Sequence, residues 1–426
     1  MSELKRHARL HPALLLRLTW RNLWCHPKRT LITLSSIGIG FVLAVFFIGL
    51  NDGSHNAMIR NAIKLGEGYI TVQPKGYLEA PANDKYLADG AALREQLLAL
   101  NLPGQVDARI SLRVLVSSPY NSVGAGLEGM ASSDQRAQML QPFVIKGEWL
   151  QADDERGVVI GEGMARKLKV KVGGKIVLMA GKRGGDSEAQ LGRVRAIFDS
   201  SMDELDNFLV ISNVQLARHF LVAEGADINR QPLTRLAVSL DDPESLADWK
   251  RRIDGELPTS SVVVLDWQQM MPQLVQFIVL DSAGAYVFLA VILVLIVFGI
   301  VNTVLMSVLE RTREFGLLRA LGLSRSHLLL MVFLEATLLS VLAVGIGWTL
   351  GGLVHLWFSQ HGLDLTGVLG DSTAVAGTFM DPVVRTELSQ ARVLQLTLIV
   401  FLTTLTTGIY PAIKAARVTP VAALRT

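Results

Sequence analysis

The sequence predicts a membrane α-helical fold, four transmembrane helices, with a large α/β extracytoplasmic domain inserted between helices 1 and 2. Three observations carry the prediction. Four apolar runs are each long enough to cross about 30 Å of hydrocarbon, which takes roughly 20 residues. The chain from 51 to 284 holds no such run and reads as alternating strands and helices. Lys and Arg crowd into the short segments flanking the runs, as they do on the cytoplasmic side of membranes. Of 426 residues, 50% are hydrophobic and 19% charged, a composition for a membrane protein with a sizeable aqueous part.

Residues 1–29 carry Lys5, Arg6, Arg9, Arg17, Arg21, Lys28 and Arg29 against Glu3, which places the N-terminus inside. Leu14, Leu15, Leu18, Trp20 and Leu23 interleave with Arg17 and Arg21, the pattern of an interfacial helix, and Pro27 breaks it. Residues 30–50 form the first span. The run is too long for a signal-peptide core and is followed by Asn51 and Asp52, so it is expected to be a retained anchor.

Residues 51–284 form the extracytoplasmic domain, with about eight strands: Tyr69–Val72, Val114–Ser117, Val158–Ile160, Ile176–Met179, Val194–Phe198, Phe208–Ile211, Arg235–Leu240 and Ser261–Leu265. Gly161 to Ile176 reads as a strand end, a short basic helix, a Gly turn and a new strand. Gly181 to Gln190 is a polar hairpin tip or loop. Asp266 to Leu280 is expected to be helical and to run without a break into the second span, residues 285–309.

A connector, 310–327, leads to the third span, 328–358, where Gly345, Gly347, Gly351 and Gly352 permit close helix approach. An outer loop, 359–392, the fourth span, 393–413, and a tail, 414–426, with Lys414, Arg417 and Arg425, complete the chain. Inside segments then hold 14 Lys/Arg against three acids, and outer segments 27 against 34. Both termini lie inside.

Several chemistries are excluded by pattern. Gly173-Gly174-Lys175 is followed by Ile176 and lacks the glycine of a phosphate loop, so no nucleotide hydrolysis is encoded. The eight histidines are scattered, with no paired metal spacing, and no Gly-x-Ser-x-Gly elbow occurs. Asp199, Asp203, Glu204 and Asp206 read as a solvated turn, and the lone Cys25 allows no internal disulfide. The chain is not expected to be an enzyme by itself, to bind a cofactor or metal, or to bind nucleic acid.

Two features remain. The connector places Phe315, Leu318 and Leu321 on one helical stripe, with Arg313, Glu314 and Arg325 mostly elsewhere, an amphipathic helix along the membrane surface. Glu335 is an ionisable group inside the third span, where charge is costly and usually partnered. It is expected either to pair with a connector arginine or to have only a packing role.

Three segments together carry a resemblance: Leu18-Thr-Trp-Arg-Asn-Leu-Trp-Cys-His-Pro-Lys-Arg-Thr-Leu, Glu310-Arg-Thr-Arg-Glu-Phe-Gly-Leu-Leu-Arg-Ala-Leu-Gly, and Tyr410-Pro-Ala-Ile-Lys-Ala-Ala-Arg-Val-Thr-Pro-Val-Ala-Ala-Leu-Arg. They resemble the FtsX/MacB-like (type VII) ABC transporter permeases, and the Val158–Ile176 region is similar to the periplasmic core domain of that superfamily. Lacking a fused ATPase, the chain looks more like the separate LolC/LolE-like permeases of lipoprotein-releasing systems. The resemblance implies a bacterial inner-membrane protein with its large domain in the periplasm and two permeases, a homodimer or a pair with a paralogue. Two copies of an ATPase subunit would bind the ATP and Mg. It implies ATP-driven mechanotransmission without a channel, acting on a lipoprotein or other amphiphile or handing a molecule to a periplasmic adaptor. The alternative is an FtsX-like signalling permease that activates a periplasmic partner such as a cell-wall hydrolase. By the same likeness the connector is a coupling helix whose contacts are Glu310, Arg311, Arg313, Glu314, Gly316, Leu317, Arg319, Ala320, Leu321 and Gly322.

Overall fold

The computed structural model describes residues 12–417 except 26, 67, 182–186, 201, 222–229, 258–260, 322, 370–372, 376–377 and 381–382. The chain forms two compact units, one of residues 1–56, 278–365 and 383–426 and the other of residues 57–277 and 366–382.

The first unit is helical. Among the described residues, four helices are long and apolar enough to span a membrane: Thr30–Leu65, Pro272–Glu310, Arg325–His361 and Gln390–Ala416. Each extends past the apolar run that marks it, because a helix outlasts its hydrocarbon-facing part wherever the sequence keeps good helix formers. The first begins at Pro27, whose missing N–H costs nothing at the first helical position. The second begins at Pro272, and here the expected unbroken helix from Asp266 is corrected. Trp267–Met270 forms its own short turn, capped by Asp266 and Gln269, and Met271 leaves helical geometry. A proline at 272 can neither donate to the preceding turn nor clear its carbonyl, so the helix restarts there.

The helices pack through Leu34, Ile37, Ile292, Ile296, Ile300, Leu339 and Ala343 in one layer and Phe41, Val45, Leu289, Leu396 and Val400 in another. Gly347 lies against the Phe41 ring and Gly351 against Val45, so close approach is used there. Gly345 and Gly352 have nothing near the position a Cβ would take, so within the chain the close approach these glycines permit is used at Gly347 and Gly351. Polar side chains tie the helices together beyond the apolar layers. Arg392 donates to both Asp52 oxygens at 2.8 and 3.1 Å, and Asn51 and His55 reach Asp281 at 2.6 and 2.8 Å.

The second unit is α/β, and its main sheet has ten strands among the described residues. They are β1 Ile70–Pro74, β2 Gly104–Ser117, β3 Ser122–Gly129, β4 Val144–Gly147, β5 Gly157–Gly161, β6 Lys175–Gly181, β7 Ser187–Phe198, β8 Leu209–Ser212, β9 Arg235–Leu240 and β10 Val262–Asp266. The order is β10-β1-β9-β2-β3-β8-β5-β7-β4, with β6 bridging β2 and β7. Strands β2, β3, β8, β5, β7 and β6 thereby close a ring filled by Val114, Val116, Leu127, Val158, Ile160, Leu178 and Val194. Gly161 to Ile176 is strand, helix Glu162–Leu168, turn and strand, as expected, with Lys169 in the left-handed region. The expected hairpin tip falls between β6 and β7, which pair antiparallel out to Gly181 and Ser187, and residues 182–186 lie outside the described residues.

Candidate functional site

The connector folds as a helix over Thr312–Ala320, with Arg311 just before it. Phe315 is buried and Leu318 partly buried among Val308, Leu328, Met331, Val332, Ala412 and Ala415, which seats the helix against the second, third and fourth spans. Leu321 does not join that stripe. It is 76% exposed, because the helix ends one residue earlier and Leu323 takes the packing position instead.

The opposite face is open. Arg313, Glu314, Leu317 and Ala320 are exposed at the three- and four-residue spacing of one helix face, and Glu310 just before the helix and Leu321 just past its end are exposed too. Of the ten residues assigned to partner contact, these six face outward, while Arg311 and Arg319 are half-buried and Gly316 is buried. Gly322 lies outside the described residues. Leu317 and Leu321, 56% and 76% exposed, flanked by charges of both signs, make a small apolar centre with a polar rim.

Arg311 links this helix to the third span. Its guanidinium is 3.0 Å from Glu314 and 3.5 Å from Glu335, and it lies over the Phe315 ring at 5.2 Å. Arg311 and Glu335 side chains are 11% and 12% exposed, so the pair is shielded from water. Such a shielded pair ties the connector to the third span, because breaking it costs more than breaking an exposed pair.

A second polar constellation, which the sequence reading missed, lies in the sheet unit. Along β2, Val106, Ile110 and Leu112 enter the apolar core, while Asp107, Arg109 and Ser111 point to the other face. That face is buried too, so these polar side chains satisfy one another. Arg109 grips Asp134 with two 2.7 Å hydrogen bonds and donates to the Gly66 carbonyl, at the end of the first long helix. Asp134 also caps the helix Gln135–Leu140 by accepting from the Arg136 N–H at 2.8 Å. Ser111 Oγ donates to Glu128 at 2.6 Å, and Arg136 and Arg235 flank the same carboxylate at 3.6 and 3.8 Å.

Burial dominates the electrostatics. Burial, with the nearby Asp134 charge, pushes the Asp107 carboxyl up to about 6, against the pull of Arg109. Burial lowers Arg235 to about 10 and, with the Glu128 charge, raises Tyr77 to about 12. Asp206, expected in a solvated turn, is buried and accepts from the N–H and Oγ of Ser200 at 3.0 and 2.7 Å. The turn folds inward because that carboxylate closes it.

A protein with four membrane-length helices, an amphipathic connector and a separate α/β unit is the class these features define. The C-terminal model of FtsX-like permeases matches residues 286–420, and the MacB-like periplasmic core domain matches residues 30–256. The chain therefore belongs to the FtsX/MacB-like ABC transporter permeases and is an ABC transporter permease subunit. The lipoprotein-releasing system transmembrane protein LolE of Haemophilus influenzae is 23% identical over 95% of this chain and 97% of its own length. The macrolide export ATP-binding/permease protein MacB of Wolinella succinogenes is 23% identical over 96% of this chain and 60% of its own length. Among solved structures, the periplasmic region of MacB from Actinobacillus actinomycetemcomitans covers 49% of this chain and 94% of that one at 14% identity, with a TM-score of 0.33.

Proposed function

We propose that this chain couples ATP hydrolysis by a separate ATPase to extraction or export of a lipoprotein or other amphiphilic cargo at the periplasmic face of the bacterial inner membrane. The observation that carries the reading is the outward face of the connector, Glu310, Arg313, Glu314, Leu317, Ala320 and Leu321, an apolar centre with charged edges on a helix fixed to three spans. In this reading two ATPase subunits dock there, one per permease, and hold the ATP and Mg; the second permease is a copy of this chain or a paralogue. The outer α/β domain, inserted between the first and second spans, is in the periplasm. Arg311, paired with Glu335, carries force from the docked helix into the third span. The name of the LolE relative supports a lipoprotein cargo.

The test is co-purification from the native membrane. Leu317→Asp with Leu321→Asp places charge at the centre of the docking face, where truncations weigh most. ATPase recovery should fall by about tenfold, a loss of roughly 1.4 kcal/mol, while insertion and permease pairing persist. Undiminished ATPase recovery would remove the docking role. A cell-wall hydrolase recovered in place of lipoprotein would reassign the chain to signalling.

A further inference from the structure

The buried polar face of the sheet borders a cavity of about 260 Å³, lined by Gln73, Tyr77, Ser111, Glu128, Phe208 and Arg235 among others. Several of its polar residues engage one another. Tyr77 donates to the Ser111 carbonyl at 2.9 Å, Ser111 Oγ to Glu128, and Arg235 sits beside Glu128 and 5.8 Å from the Tyr77 ring centre. Gln73, on β1, is 1% exposed, and among the described residues neither its amide oxygen nor its amide nitrogen has a hydrogen-bond partner.

A buried amide left without partners costs about 1–3 kcal/mol per group, and such a group calls for a reason. The neighbours of Gln73 on the strand do not supply one. Ile70 and Val72 fill the apolar core, whereas Gln73 alternates to the polar face, where a leucine or methionine would avoid the cost.

We propose that this cavity is a binding site for a short peptide-like molecule, one amide of which pairs with Gln73. The side chain offers a donor and an acceptor side by side, so a bare anion or cation satisfies only half of it, and a peptide group satisfies both. Leu78, Phe208 and Met270 give the remaining wall an apolar character that suits an aliphatic side chain next to that amide. The volume lies just under the roughly 300–1,000 Å³ of pockets for drug-sized ligands, which limits the occupant to about a dipeptide. The site stands on the sheet geometry and is independent of the connector's role.

The experiment uses the full chain in detergent micelles and two probes: N-acetyl-leucine N-methylamide and its diester analogue, methyl 2-acetoxy-4-methylpentanoate, in which both amide N–H groups are replaced by oxygen. Binding is followed by saturation-transfer NMR and by the shift of the melting temperature. The amide should bind about tenfold more tightly than the ester, the cost of one unmade hydrogen bond. In Gln73→Met the preference should vanish and both probes bind equally weakly. That variant removes the orphaned groups and should melt no lower than the natural protein, so lost preference reports on binding. Equal binding of the two probes to the natural protein, no binding of either (an ordered water only), or a preference that survives in Gln73→Met would each overturn the proposal.

Discussion

In the helical unit Arg311 meets Glu335 at 3.5 Å and the exposed Glu314 at 3.0 Å, whereas in the sheet unit Arg109, Asp134, Asp107, Ser111 and Glu128 share one buried face. The difference lies in how each region satisfies its charges. The helical pair depends on two side chains from different helices, with no backbone pairing between those helices. The sheet constellation is held by paired strands and a helix cap, so every member is fixed by backbone geometry before it is fixed by charge. A pair of the first kind suits a joint, and a network of the second kind suits a rigid body.

The contrast breaks first, and with the largest effect, at Arg109. Arg109→Met leaves Asp134 buried with its charge uncompensated, and the sheet unit should lose about 3–5 kcal/mol, measured by urea unfolding of the full chain in micelles. A loss under about 1 kcal/mol would make that network as dispensable as a surface pair. The helical pair is sharpened by a double-mutant cycle on Arg311→Met and Glu335→Leu. Each single change should destabilise more than the double, with a coupling of about 1 kcal/mol, in the range met between membrane helices.

The smallest effect is a pH slope. Asp107 holds its proton up to about 6 in the folded state, above the ordinary 3.8 that an unfolded chain restores. The native state therefore binds more protons between those values, and its stability falls as pH rises from about 4 to about 6. Comparing unfolding midpoints of the full chain at pH 4.5 and 6.5, Asp107→Asn should reduce that slope.

Much of the helical unit was legible because a charge in an apolar run of 30 residues stands out by itself. Glu335 is visible in that way, and the connector announces itself by four arginines between two runs. What periodicity left ambiguous was which connector residues turn outward. Phe315 and Leu318 pack inward as the stripe requires, yet Leu321 escapes because the helix stops at Ala320 and Leu323 packs in its place. In the sheet unit the alternation Val106-Asp-Ala-Arg-Ile-Ser-Leu is plain in the sequence. Its polar half is that of a half-solvated strand, and nothing local tells that the helix Gln135–Leu140 and the Tyr77 segment cover that face. Strands β3 and β4 escaped for related reasons, β3 being rich in glycine and β4 only four residues long. The break at Met271 was readable from Pro272, whose rule against helix interiors the apolar run on either side obscured.

The account turns on the outward face of the connector, and the most direct measurement is ATP hydrolysis by the reconstituted complex of permease and ATPase. Arg313→Glu reverses an exposed charge on that face and leaves Arg311, its partners Glu314 and Glu335, and the buried Phe315 unchanged. Hydrolysis stimulated by the permease should drop about tenfold, the scale expected when complementary charges are made repulsive, in complexes whose permease still inserts and pairs. Hydrolysis equal to that of the natural complex would contradict the docking surface.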